Sequence, residues 1–389
     1  MQKNHKWIAF LAFAMYFLTG AACIVVGSSL PHLVKMYDME LDKVVLLGSA
    51  YAVGRVMTVY VTGRMVEKIG PMKVLALGAA LIGIFLFGIP TIVNYYAGMV
   101  FAFLGGVGMG AQDTVCPVLL SRGFTKNYAG AMSAGQALFG LGNFATPFLV
   151  GVMLSGKLPF YYSYYVLILV PIIILICIPF AKFDLNEEGE KQEEEKIRPL
   201  YTKKMGLAYG AILIICIAYS AVVNTLMMYI SSFAESIGVS PAKSAFMLTA
   251  YNVGCFVGSL AFILILRKVK EQSVLLWNHI AAAAALVLML VINQVPAYFA
   301  GVAIAGFFLG VLFSVIVTVA TRIDHEHISR ASSLIATAGG ASDIITPAIT
   351  GALVGRMGVG ISFKYVIILI FATIAAAVIL RTNTTEVSR

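Results

Sequence analysis

Charge is what this chain of 389 residues has little of: 12% of it is Asp, Glu, Lys or Arg, while 60% is hydrophobic. Soluble domains carry about a quarter charged residues, so an ordinary water-soluble domain is excluded and the chain belongs in lipid. The five cysteines, Cys23, Cys116, Cys177, Cys216 and Cys255, all sit in apolar runs without C-x-x-C spacing, which argues against a disulfide framework and a zinc site. There is no G-x-x-x-x-G-K-[ST] loop, so ATP drive is not expected. No nucleophile stands in a supporting context with a base, so no enzyme and no cofactor are expected. The segment Asp324-His325-Glu326-His327 has metal-capable side chains, but it is flanked by Arg322 and Arg330 and is expected to be a solvated loop without a metal. Nor does the net charge of +9 point to nucleic acid, because no basic stripe with interleaved aromatics is present. The apolar run from Trp7 to Val34 exceeds a signal-peptide core and lacks a sensible A-x-A site, so it is expected to be a retained first membrane helix.

What is abundant is apolar length. Twelve runs are each long enough to cross a hydrocarbon core of about 30 Å: 8–34, 44–66, 73–93, 96–121, 130–153, 160–181, 206–233, 243–266, 274–293, 297–321, 331–354 and 361–381. The fold expected is an all-α membrane protein of twelve helices in two pseudo-symmetric six-helix bundles. Residues 1–181 form the first bundle, 182–204 a charged cytoplasmic linker rich in glutamate, and 205–389 the second. Lys and Arg of the short loops gather on one face, leaving Lys35, Lys43, Lys157, Lys243, Arg356 and Lys364 on the other. By the positive-inside rule both termini are cytoplasmic. Tyr161, Tyr162, Tyr164 and Tyr165 read as an aromatic belt at the outer interface.

The two halves share a register displaced by 200 residues. Ala50-Tyr51-x-Val53-Gly54 recurs as Ala250-Tyr251-x-Val253-Gly254, and Thr146-Pro147-x-x-x-Gly151 as Thr346-Pro347-x-x-x-Gly351. Gly106, Gly110 and Arg122 fall opposite Gly306, Gly310 and Arg322. A parallel repeat in a membrane protein places a substrate path between the halves near the bilayer middle.

Three charged residues stand deep inside spans: Arg55 in span 2, Asp113 in span 4 and Asp343 in span 11. Such groups cost several kcal/mol in hydrocarbon and are expected to face a bundle interior or a watered pathway. At about 1.5 Å per residue, Arg55 stands about 18 Å from Glu67, Asp113 about 14 Å from Arg122 and Asp343 about 20 Å from Arg330, which predicts one layer. Asp113 is expected to carry a coupling proton, with Arg55 as a partner that can switch. Arg55 could instead grip a substrate carboxylate through its fork or form a permanent structural pair with Asp113. Gln112, Gln136, Asn143, Asn224, Asn252 and Asn278 could complete a polar site, and each also fits interhelical packing. Asn143 stands at the repeat position of Asp343.

Between spans 2 and 3 the chain reads Gly63-Arg64-Met65-Val66-Glu67-Lys68-Ile69-Gly70-Pro71-Met72-Lys73. With twelve spans, parallel halves and a central loop, this resembles the cytoplasmic signature of the major facilitator superfamily over the whole chain. The resemblance implies a cytoplasmic gate at Gly63, Arg64, Glu67, Lys68 and Gly70 that stabilises the outward-open state. Glu67 stands where that family usually has Asp, and Pro71 where it usually has a basic residue. The counterpart between spans 8 and 9, Arg267-Lys268-Val269-Lys270, keeps the charge and reads as having lost the acid and the glycines. The resemblance also implies a cavity lined largely by spans 1, 4, 7 and 10, and a monomer working by alternating access.

Val53-Gly54-Arg55, Gln112-Asp113-Thr114 and the Gly-rich approach to Thr146-Pro147 are similar to bacterial inner-membrane facilitators for small carboxylates or related metabolites. Span 5 lacks the Gly-Pro pair and following double Gly that mark drug-proton antiporters of that superfamily. The function expected is proton-coupled secondary transport of a small polar metabolite, a hydroxylated carboxylate ahead of a neutral sugar or polyol, with proton-driven efflux as the alternative. The partners expected are that small-molecule substrate, protons and the lipid bilayer of the cell inner membrane, with no nucleic acid.

Overall fold

In a hydrocarbon phase the backbone must bond to itself, so apolar runs of this length coil into helices. The computed structural model describes residues 3–124, 128–181, 200–266, 268–324 and 328–386, and nearly all of them are helical. Spans 1 to 6 are Lys3–Tyr37, Leu46–Ile69, Pro71–Thr91, Tyr95–Gly123, Tyr128–Ser155 and Tyr162–Cys177. Spans 7 to 9 are Met205–Ser236, Pro241–Ile265 and Glu271–Ile292, and spans 11 and 12 are Ile328–Met357 and Gly360–Asn383. Span 10 is one run, Val295–Ile323, as read in the sequence, with its hydrogen-bond ladder interrupted at Gly310–Val311 between Val295–Leu309 and Leu312–Ile323. Ten of the spans are long and apolar enough to cross a bilayer on those grounds alone. Span 2, led in by the short turn Leu41–Val44, and the 30-residue span 11 complete an all-α membrane fold.

Local chemistry sets the reversals. Gly70 has φ +88° and lies between spans 2 and 3, where a side chain would be strained. Pro71 then opens span 3 at a position that needs no N–H donor. Asn94 caps span 4 by accepting a hydrogen bond from the Ala97 N–H at 3.1 Å. Asn293 ends span 9 in the left-handed region at φ 52°.

Two compact units result: Met1–Gln192 with Ser240–Phe246, and Glu193–Val239 with Met247–Arg389. In the first, span 4 packs along spans 2 and 3, span 1 along spans 4 and 5, and span 3 along span 6. In the second, span 7 packs along spans 11 and 12, and span 9 along spans 10 and 12. The repeat is visible in their cores. A Cβ added to Gly106 would collide with the Tyr51 carbonyl oxygen, and one added to Gly306 with that of Tyr251. Helix backbones thus touch directly at the same place in both units, which is how small residues bring membrane helices together.

Most of the linker expected at 182–204 lies outside the described residues, as do positions 325–327 of the Asp324–His327 segment. The end of the linker forms a strand, β1 (Leu200–Thr202), antiparallel to β2 (Thr384–Glu386). Asn383 clasps the join: its Oδ1 accepts from the Lys204 N–H at 3.2 Å and its Nδ2 donates to the Lys204 carbonyl at 2.8 Å.

The tyrosine belt needs one correction. Tyr164 is fully buried, and its hydroxyl lies 2.6 Å from Ser29 Oγ of span 1. Burial of the ring with a satisfied hydroxyl makes it a packing residue of the first unit rather than an interfacial one. Tyr162 is exposed, and Tyr161 and Tyr165 are half-buried.

Candidate functional site

In the first unit, spans 2 and 4 approach so closely at Gly106 and Gly110 that long side chains beside the contact must meet. A Cβ at Gly110 would lie 2.9 Å from the Arg55 carbonyl oxygen. Arg55 Nε donates to Asp113 Oδ2 at 2.7 Å, the two side chains retaining 37% and 25% exposure. The pair is thus only partly covered by protein, as expected of charged groups that border a pathway rather than a closed core.

Hydroxyls line the same seam. Thr114 Oγ1 donates to Thr62 Oγ1 at 3.2 Å, and Thr62 Oγ1 donates to the Gly110 carbonyl at 3.2 Å. Tyr51 lies in electrostatic reach of Cys23, Arg55 and Asp113. The Cys23 thiol donates in turn to Asn143 Oδ1 at 3.1 Å. Arg55 and Asp113 thus link spans 2 and 4, while Cys23 and Asn143 link spans 1 and 5.

The other candidates of this unit lie apart from these contacts. Gln112 is buried, and its Oε1 accepts from Thr19 Oγ1 of span 1 at 3.3 Å. Gln136 lies on the exposed side of span 5.

The second unit keeps the scaffold and changes the chemistry. Gly310 meets the Cys255 backbone as Gly110 meets that of Arg55. Cys255 and Phe313, however, stand at the repeat positions of Arg55 and Asp113, so that ion pair has no counterpart here. Asp343 is half-buried on span 11, in electrostatic reach of Cys216 and Tyr219. Asn252 is buried, and its Nδ2 donates to the Leu248 carbonyl of its own helix at 2.9 Å. Asn278 is buried and donates to the Phe308 carbonyl at 2.9 Å, while Asn224 is half-buried on span 7.

At the turn between spans 2 and 3, Arg64, Glu67 and Lys68 are exposed. A Cβ at Gly63 would meet nothing within 4 Å, so the special backbone geometry of this turn resides in Gly70. The second unit's turn corrects the sequence reading that its acid is lost. Glu271, the residue after Arg267-Lys268-Val269-Lys270, accepts from Arg322 Nη1 at 2.6 Å, with side-chain exposures of only 22% and 11%. Asp324 beside it accepts from the Tyr209 hydroxyl at 2.6 Å. The available signal was positional: Glu271 opens span 9 at the repeat position of Pro71, where an acid also favours a helix N-terminus.

A family model described as Major Facilitator Superfamily matches residues 12–293 and 211–389. An uncharacterized MFS-type transporter, YfkL of Bacillus subtilis, is 24% identical over 378 residues, covering 93% of each chain. The inner membrane transport protein YdiN of Escherichia coli K12 is 24% identical, covering 94% of this chain and 86% of that protein. The crystal structure of a D-xylose-proton symporter superposes with a TM-score of 0.75 over 98% of both chains at 11% identity, a likeness of fold.

Proposed function

The chain belongs to the Major Facilitator Superfamily, and from that premise we propose that this membrane transporter is a proton-coupled secondary carrier of a small polar metabolite, a hydroxylated carboxylate, working by alternating access. The observation that carries the reading is the Arg55–Asp113 pair, held at 2.7 Å at mid-span and only partly covered by protein. A carboxylate so placed can take up a proton when its partner leaves it, and the guanidinium is then free for a substrate anion. Proton uptake at Asp113 and anion capture at Arg55 become one event. Asn143 and the hydroxyls of Thr62 and Thr114 supply the neutral donors and acceptors that a hydroxylated cargo needs.

The asymmetry of basic residues supports cytoplasmic termini, and the printed name of YdiN supports a bacterial inner membrane. The polypeptide works as a monomer. Gly63, Arg64, Glu67, Lys68 and Gly70 form its cytoplasmic gate, with Gly70 fixing the turn.

The test has two steps. Thermal-shift measurements on the purified protein against sugar acids, cyclic hydroxy acids, neutral sugars and lipophilic cations, at two pH values, are expected to show stabilisation by a hydroxylated acid. That acid is then added to lightly buffered proteoliposomes. Alkalinisation of the medium that follows its entry supports the reading. Stabilisation by lipophilic cations alone, or entry without proton movement, contradicts it. For Arg55→Lys, loss of binding with normal expression assigns the guanidinium to substrate. Loss of the protein itself assigns it to a structural pair.

A further inference from the structure

Span 10 is interrupted at Gly310–Val311 without a proline, although its repeat partner, span 4, runs unbroken from Tyr95 to Gly123. The cause lies in span 7. The Tyr219 hydroxyl donates to the Leu309 carbonyl at 3.1 Å, and the Phe313 N–H lies within reach of the same oxygen. Those two backbone groups are the i and i+4 partners of a helical ladder, so the phenol oxygen occupies the place of their own hydrogen bond. One residue earlier, the Phe308 carbonyl is taken by Asn278 Nδ2 at 2.9 Å. Two consecutive rungs of span 10 are therefore held by side chains of spans 7 and 9. A side chain inserted into the ladder is a recognised origin of helix kinks.

The surroundings hold the phenol in place. Tyr219 is 7% exposed, and buried His279 meets its ring edge-on, with centroids 6.4 Å apart and planes at 89°. The first unit has none of these parts: Thr19 and Gly78 stand at the positions of Tyr219 and Asn278. Thr19 turns its hydroxyl to the Met15 and Tyr16 carbonyls of its own helix, both at 3.0 Å.

We infer that Tyr219 is a positioning residue for transport: its hydroxyl splits the ladder of span 10 and sets a hinge about which the segment Leu312–Ile323 moves during alternating access. Withdrawal of the hydroxyl lets the Phe313 N–H bond the Leu309 carbonyl again and straightens the span. Only about one hydrogen bond is exchanged for another, which keeps the two states within a few kcal/mol. Asp343, in reach of the same hydroxyl, ties this hinge to the charged residue of span 11.

The inference rests on the alternating-access reading, and its test needs neither substrate nor a proton gradient, so failure here leaves the transport reading untouched. Hydrogen exchange of the full chain in nanodiscs is followed over residues 305–320 for the native protein, for Tyr219→Phe and for Asn278→Ala. Expected for Tyr219→Phe is exchange slowed about fivefold at Phe313, the equivalent of one regained hydrogen bond. Asn278→Ala is expected to slow Leu312 in the same way, and it serves alone if Tyr219→Phe does not fold. Nitroxide pairs at positions 300 and 318, in a chain whose five cysteines are replaced, are expected to give a broad distance distribution that Tyr219→Phe narrows to its longer component. Unchanged or faster exchange in a folded variant, or an unchanged distance distribution, overturns the inference.

Discussion

The first unit holds its charged pair, Arg55 and Asp113, beside an unbroken span 4, whereas the second has Cys255 and Phe313 at those positions and a span 10 split by Tyr219. Both share the backbone contact that fixes their helices, Gly106 on Tyr51 and Gly306 on Tyr251. The duplicated part is thus the packing, and the diverged part is the chemistry laid on it. Packing at such a contact tolerates no added atom. The side chains around it have diverged, while Tyr51 and Tyr251 at the contact itself both keep a buried hydroxyl. One unit has come to hold the ionisable pair, and the other the mechanical irregularity.

Substitutions that add bulk at the shared contact should break this comparison most severely and equally in both halves. Gly106→Val and Gly306→Val each force a side chain into a backbone carbonyl, at more than about 3 kcal/mol. Expected is the loss of monodisperse protein in fluorescence-detected size exclusion for both variants. A folded variant in one half alone would show that the contact is not equivalent.

Next in size is the contrast between the two ion pairs. Glu271→Gln removes the charge paired with Arg322, whose side chain is 11% exposed, and is expected to cost about 3 kcal/mol. Asp113→Asn, at a pair less covered by protein, is expected to cost less than that. Thermal unfolding in detergent checks both, and equal losses would remove the distinction between a structural pair and a labile one.

Smaller effects sharpen the picture of each unit separately. Asn383→Ala removes two hydrogen bonds to the Lys204 backbone and is expected to cost about 1–2 kcal/mol. Limited proteolysis near residue 200 should accelerate, with transport retained. Tyr164→Phe removes the hydroxyl contact with Ser29, which keeps its bond to the Val25 carbonyl, and is expected to cost about 1 kcal/mol in thermal unfolding.

Much of this architecture was legible in the sequence because lipid makes the code simple. Apolar length marks a span, and repetition marks a half. Spans 1 to 12 and the Gly106/Gly306 correspondence follow from those two facts. The family was also legible, from Gly63 to Lys73 together with the repeat. What stayed hidden depends on which way a side chain turns within a helix of uniform polarity. Gln112 and Asp113 are neighbours in sequence, yet one faces Thr19 and the other Arg55. Tyr164 sat among belt-like tyrosines and proved to be core. Glu271 was overlooked because the acid was sought inside the basic run rather than at the first residue of the next helix. The interruption in span 10 falls at Gly310, but Gly110 at the repeat position lies in an unbroken helix, so the glycine alone did not mark it.

The most direct test of the central claim is uphill accumulation in proteoliposomes under an imposed proton gradient, with the acid identified by thermal shift, for native protein and Asp113→Asn. Expected is loss of accumulation in the variant with exchange of internal for external substrate preserved. Accumulation at the native rate in Asp113→Asn would contradict a coupling role for the Arg55–Asp113 pair.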